Sequence, residues 1–435
     1  MTANAAPSAA TALASPSAAV RPWWRDPAVR LRNVDAIAAL VAASLPWSTS
    51  ATGILMTLWL VALLPTVDGG ALLRSLRRPA SALPLIFLGL AVVGTLWSDS
   101  GWPARLHGIN PVAKLAAIPL LLYHFERSRH GLWVLAAFAG SCALLMALSW
   151  LVFFEPSLKL AATMNPGVPV KNYIDQSQEF ALCMFALAPA ALTWLRQRRL
   201  ALAGAALALI AAFFANMMFV VSARTALIYM PVLLVLFGLV HLRARAVAAL
   251  VAAALVCAAV VWTASPYLRE RVNAIATEYQ AYHDSNAGTS TGERLEYWRK
   301  SLKFVADAPL VGNGTGSTKD LFVQDAVGKS GVSAEVIGNP HNQTLNVAVQ
   351  WGLLGVVALY GTWIAHLLLF RSRAVATTLA GWTGLVVVVQ NVVSSLLNSH
   401  LFDFHEGWMY VLGVGVAGGM VLRWRSAAGR EDMIP

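Results

Sequence analysis

Three residues in this 435-residue chain have the types and settings that chemistry requires: Arg224, Arg294 and His341. His341 stands in Asn339-Pro340-His341-Asn342-Gln343-Thr344-Leu345, directly before a long apolar run. Pro340 marks a helix start, which predicts His341 within the first turn, where the positive end of the helix dipole disfavours imidazolium. A neutral imidazole can take a proton at neutral pH as a general base. An interfacial histidine satisfied by hydrogen bonds is the plainer alternative. Arg224, in Val221-Ser222-Ala223-Arg224-Thr225, lies where one apolar run passes into the next with almost no loop. A cation there must snorkel to lipid headgroups or meet an anion, because unpaired charge at hydrocarbon depth is costly. Arg294 begins Arg294-Leu295-Glu296-Tyr297-Trp298-Arg299 and, taken alone, reads as a solvated helix charge. Lys114, Asn342, Ser222 and Arg299 are accessory candidates, with snorkelling as the simpler reading of Lys114.

Other signals are weaker. The stretch Ala308-Pro309-Leu310-Val311-Gly312-Asn313-Gly314-Thr315-Gly316 looks like a phosphate loop, but no lysine directly follows a glycine there and no buried strand precedes it. It reads as a tight turn. No Asp-x-Asp triplet occurs, so no metal site can be assembled, and a diphosphate leaving group would have to be stabilised by arginine or lysine. His400 and His405 fit a folded-back connection as well as a site. Cys142, Cys183 and Cys257 all lie in apolar runs and read as small buried hydrophobes, not as a disulfide framework.

The elements that must position these residues are membrane helices. The chain is 58% hydrophobic and only 12% charged, against about 25% charged in soluble domains. This excludes a secreted enzyme, a nucleic-acid binder and a disordered scaffold. Apolar runs at roughly 34–48, 51–67, 81–97, 111–125, 131–154, 179–195, 200–221, 224–241, 246–264, 344–370, 374–397 and 407–423 predict about twelve spans, an all-α polytopic membrane protein. Arginines collect at every even-numbered boundary, from Arg21, Arg25, Arg30 and Arg32 before the first span to Arg423, Arg425 and Arg430 after the last. By the positive-inside rule both termini are cytoplasmic. The net charge of +11 is thus largely topological. The expected organisation is a disordered tail over 1–33, nine spans over 34–264, a long outer loop over 265–343, three spans over 344–423, and a cytoplasmic tail over 424–435. In the long loop, Tyr267 to Tyr282 and Arg294 to Val305 read as amphipathic helices.

Taken together, these motifs resemble the O-antigen ligase and O-antigen polymerase superfamily. The residues that carry the resemblance are Ser222-Ala223-Arg224 opening a span, Arg294 with Trp298 four residues on, and Pro309-Leu310-Val311-Gly312-Asn313-Gly314. Pro340-His341-Asn342-Gln343-Thr344-Leu345 with Gly352-Leu353-Leu354-Gly355 completes the set. It spans roughly residues 200–410; the first five spans match only in hydropathy. The resemblance implies an inner-membrane glycosyltransferase with a fold similar to the type C class. Its donor would be a glycan linked to undecaprenyl diphosphate, used on the periplasmic side. In the ligase branch the acceptor is a sugar hydroxyl of the lipid A core, which completes lipopolysaccharide. The family's essential histidine carries onto His341 and its two arginines onto Arg224 and Arg294, which would bind the diphosphate. Direct displacement would invert the anomeric centre without metal or other cofactor. A polymerase or a protein O-oligosaccharyltransferase would share this chemistry, and chain length with one long loop before His341 favours the ligase. A lipid-linked glycan transporter predicts charges deep in several spans, whereas the span interiors read as nearly free of acid and base. Membrane lipids are the expected surroundings, nucleic acid is not an expected partner, and oligomeric state leaves no mark.

Overall fold

The computed structural model describes residues 26–431 except Met164 and Ser222, with side chains to Ala428. Most of the predicted N-terminal tail, the candidate Ser222 and the side chain of Arg430 lie outside the described residues. Among the described residues the fold is all-α. The chain begins with α1 (Pro27–Ser44), α2 (Thr49–Leu63), a short α3 (Gly69–Leu76) and α4 (Pro79–Val93). A rod with a tight turn at Lys114–Ala116 carries α5 (Trp102–Ala113) and α6 (Ala117–Arg127). Then come α7 (Gly131–Phe154), α8 (Tyr173–Arg196), α9 (Leu200–Phe219), α10 (Ala226–His241) and α11 (Ala244–Ala264). The long loop folds into α12 (Pro266–Ser285), α13 (Ser290–Asp307) and α14 (Thr318–Ala326). Last are α15 (Gln343–Phe370), a four-residue α16 (Arg373–Ala376), α17 (Leu379–Ser394) and α18 (Phe404–Glu431).

Every predicted apolar run falls on these helices. Among the described residues, eight helices are long and apolar enough to cross a bilayer, and α10 and α17 are apolar but shorter. The protein is therefore a multi-pass membrane protein. Packing is tightest where α18 lies along α6. Glycines allow this: a methyl group on Gly419 would come within 2.9 Å of the Glu126 backbone nitrogen, and one on Gly415 within 2.4 Å of Leu121. Small residues at a helix seam let backbones approach without hydrophobic help from the lipid.

Two expectations are corrected here. The span interiors are not free of ionisable groups: Asp35, His124, Asp175, Glu179, His366, His405 and Glu406 are all buried. Asp35, for instance, lies 2.7 Å from His124. Cys142 and Cys183 are buried as expected, but Cys257 is exposed on the outer face of α11.

The glycine-rich stretch is a turn, and its place gives it a purpose. Helix α15 is broken at Gly352, whose φ of 56° and ψ of −148° leave the helical region. At the break, Asn313 and Gly314 donate backbone bonds to the carbonyls of Val349 and Gln350, at 2.9 and 2.8 Å. Leu353 and Leu354 donate in return to Pro309 and Leu310. Groups orphaned in a broken helix need partners when water is absent, and the loop supplies them. This pins the end of α13 to the middle of α15.

Candidate active site

Arg224 lies in the six-residue link between α9 and α10. The link is tied down because the Ala223 amide donates to the Ser177 hydroxyl of α8 at 3.0 Å. From there the Arg224 guanidinium reaches α12 and donates two hydrogen bonds to Glu278, at 2.7 and 2.5 Å. Glu278 also accepts from the amide and hydroxyl of Thr291, at 3.1 and 2.6 Å. The hydrogen bonds from Arg224 hold the Glu278 carboxyl down to about 2, and Glu278 raises the guanidinium in turn. Arg224 Nε is buried and has no partner among the described residues.

Arg294 projects from the first turns of α13, a helix started by the Thr289 hydroxyl accepting from the Gly292 amide at 3.2 Å. Burial lowers the pKa of its guanidinium, and the charge of Arg224 lowers it further. Among the described residues, nothing accepts a hydrogen bond from Arg294. Both arginines line one polar pocket of about 130 Å3, together with Tyr173, Arg271, Glu278 and Asn398.

His341 adjoins this pocket without lining it. Its position corrects the helix-dipole expectation. The helix begins at Gln343 with Asn342 as its cap, so His341 precedes the cap and does not sit in the first turn. Its φ is +53°, and its amide donates to the Asn339 side chain at 3.0 Å. Asn339 accepts from Ser399 at 2.7 Å as well, and Trp298 of α13 donates to the Pro340 carbonyl at 3.1 Å. The imidazole is nevertheless pushed below its ordinary pKa, first by burial and second by the charge of Arg294, while a hydrogen bond with Asn398 opposes this. The shift favours the neutral imidazole, from a different cause.

Other sequence candidates do not converge on the pocket. Asn342 accepts from the Leu345 amide at 3.0 Å and donates to the Leu396 carbonyl at 2.8 Å, a capping role. Arg299 turns away and pairs with Glu296 at 2.5 Å. Lys114 sits at the turn between α5 and α6 and donates to the carbonyls of Phe402 and Asp403, at 2.9 and 2.5 Å. Sequence reading missed Glu278, Arg271 and Asn398. Glu278 lies 54 positions from Arg224, and no local pattern links them; Arg271, over the Tyr173 ring at 5.1 Å, is one charge among many on α12. Among the described residues no group of three or more His, Cys, Asp or Glu side chains is placed to hold a metal ion.

Comparison with known proteins agrees with the motif pattern. The sequence profile described as O-antigen ligase matches residues 210–360, which include Arg224, Arg294 and His341. An uncharacterized protein of Haemophilus influenzae is 29% identical over 94 residues, a stretch covering 21% of this chain and 24% of that relative. Over residues 210–360, which hold the motifs around Arg224, Arg294 and His341, the chain is similar to the O-antigen ligase family.

Proposed function

We propose that the protein is an O-antigen ligase: a glycosyltransferase that moves a glycan from undecaprenyl diphosphate to a sugar hydroxyl of the lipid A core. The observation that carries this reading is the convergence of Arg224, Arg294 and His341, from three separate segments, at one polar pocket. The arginine alternation supports a periplasmic position for that pocket, at the face of the inner membrane. A half-buried guanidinium with no acceptor among the described residues is a ready seat for a diphosphate, and charge-assisted bonds of this kind are strong. Arg294 supplies the uncompensated charge. Arg224, half satisfied by Glu278, offers its remaining N–H.

In the reaction, neutral His341 takes the proton of the acceptor hydroxyl as that oxygen attacks the anomeric carbon. The bond from this carbon to the diphosphate oxygen breaks, and its electron pair leaves with the diphosphate, whose growing charge the arginines stabilise. Attack opposite the leaving group inverts the centre. Diphosphate is a good leaving group, so protein cations suffice in this scheme.

The test is reconstitution of the purified protein with lipid-linked glycan and rough lipopolysaccharide, with chelator present. Glycan on the core supports the ligase, while lengthening of lipid-linked glycan without core would make the protein a polymerase. No transfer to either acceptor, or full activity in His341→Ala, would overturn the reading.

A further inference from the structure

A small chamber between α8, α17 and α18 has no part in the reaction above. Its volume is about 10 Å3, the space of roughly one water-sized sphere. Its polar walls are Gln178, Gln390, Asn391, Ser394, Glu406 and Tyr410. Gln390, Asn391 and Glu406 are only 3%, 5% and 5% exposed. Each has a buried oxygen without a hydrogen-bond partner among the described residues: Gln390 Oε1, Asn391 Oδ1 and Glu406 Oε1. The Gln390 orientation is set by its neighbours. Its Nε2 donates to the backbone and side-chain oxygens of Gln178, at 2.8 and 2.5 Å, so Oε1 must face away from them. The hydroxyls nearby are committed elsewhere, Tyr410 with His366 at 2.6 Å and Ser394 to the Asn391 carbonyl at 3.3 Å. The chamber is rich in acceptors and poor in donors, an arrangement that buried polar groups normally avoid.

Charge tells the same story. Asp175, Glu179, Asp403 and Glu406 bring four carboxyl groups to this region, against Lys114, Lys171, His405 and the imidazole of His400, which sits against Gln178. His405 pairs with Asp175 at 2.6 Å, Lys171 acts chiefly on Glu179, and Lys114 stands beside Asp403. Lys114 and Lys171 reach Glu406 only through their charge, and its carboxyl meets that of Asp175 directly. With these two carboxyls in contact, either a proton or a cation must neutralise one of them in a low-dielectric interior. A water molecule has two hydrogens for three acceptors and no charge.

We propose that the chamber binds one small monovalent cation of about the size of sodium, held by Gln390 Oε1, Asn391 Oδ1 and Glu406 Oε1. Carboxylate and amide oxygens suit a hard cation, and one carboxylate among neutral amides matches a single positive charge, where a calcium site usually gathers several carboxylates. The site has a route to the pocket: Gln178 meets His400 at 3.2 Å, His400 meets Asn398 at 3.0 Å, and Asn398 touches His341. A bound cation would hold the base of the connection that carries Asn398.

The test uses the full chain in lipid nanodiscs, and it does not depend on transferase activity. Radioactive sodium binding is measured at equilibrium, and unfolding midpoints are compared in sodium, potassium and N-methylglucamine chloride at equal ionic strength. Saturable binding of one sodium per chain, with a higher midpoint in sodium than in N-methylglucamine, is expected. Glu406→Gln keeps the side-chain shape but removes the charge, so it should lose both effects. Asn391→Ala should weaken binding if Glu406→Gln does not fold. No saturable binding by the wild-type protein, with equal midpoints in all three salts, would overturn the proposal and leave the space to water and Glu406 to a proton. Undiminished binding by the folded variants would overturn it equally.

Discussion

Glu278 grips Arg224 through both carboxylate oxygens, at 2.5 and 2.7 Å, and so ties the membrane link between α9 and α10 to the outer helix α12. The Glu278 side chain is 20% exposed and its carboxyl is held down to about 2 from an ordinary 4.5. A carboxyl lowered on folding contributes stability that is fully present above its unfolded value and is lost as pH falls through the folded one. The grip should therefore weaken between about pH 4.5 and 2, with at most about 3 kcal/mol at stake. Hydrogen exchange in α12 and α13 should rise across that window. In Glu278→Gln the same loosening should already be present at pH 7. Flat exchange in the wild-type protein over the window would show that the pair does not anchor the helix.

Arg294 is the arginine with no acceptor among the described residues, and the proposed mechanism makes it the principal cation for the leaving diphosphate. Losing one such donor from a buried site typically lowers turnover by ~100- to 1,000-fold. We expect Arg294→Gln to show a loss of this size with normal membrane insertion. Arg294→Lys should recover part of it, because a lysine keeps the charge but not the forked geometry. Turnover unchanged in Arg294→Gln would return Arg294 to the role of a surface charge. The readout is glycan transfer per reconstituted molecule.

The same charge sets the acid side of the pH profile. Burial and Arg294 both lower the pKa of His341 below its ordinary 6.5. A general base works in its neutral form, so transfer should persist below pH 6.5 and fail only as pH drops through the lowered value. Residual transfer by Arg294→Gln should lose activity at a higher pH than wild type, since one cause of the shift is gone. Arg294→Lys should keep the wild-type limb. An acid limb that does not move in Arg294→Gln would separate the two residues.

How much of this was legible in the residues follows from which forces act locally. The apolar runs predicted the spans because hydropathy over about 20 residues is nearly independent of context. The runs for α8 and α18 were read as starting at 179 and 407, however, whereas the helices begin at Tyr173 and Phe404. Their first turns carry Asp175, His405 and Glu406 into the bundle, and so the buried acids escaped notice. Residue types singled out Arg224, Arg294 and His341, yet the Glu278 grip joins segments with no sequence relation. Pro340 suggested a helix start; the cap is Asn342, because its side chain can accept from the Leu345 amide and proline has none to offer.

The glycine at the break in α15 should be the least replaceable residue of the scaffold. Gly352 has a φ of +56°, and a methyl group added there would lie 2.5 Å from the Leu310 carbonyl carbon. Forcing a side chain into such a conformation costs about 1–3 kcal/mol before any clash is counted. The clash falls on backbone, so relief must move the Pro309–Gly314 loop, and that loop ends the helix bearing Arg294. Gly352→Ala should therefore lower the unfolding midpoint in detergent and also reduce transfer in the fraction that remains folded. Gly361, farther along α15, is the control: a methyl group there meets Leu83 at an ordinary 3.8 Å. Gly361→Ala should leave transfer unchanged and stabilise slightly, by about 0.4–1 kcal/mol, through the less flexible unfolded chain. Equal midpoints for the two variants would mean that the break at Gly352 is not what holds α13 against α15.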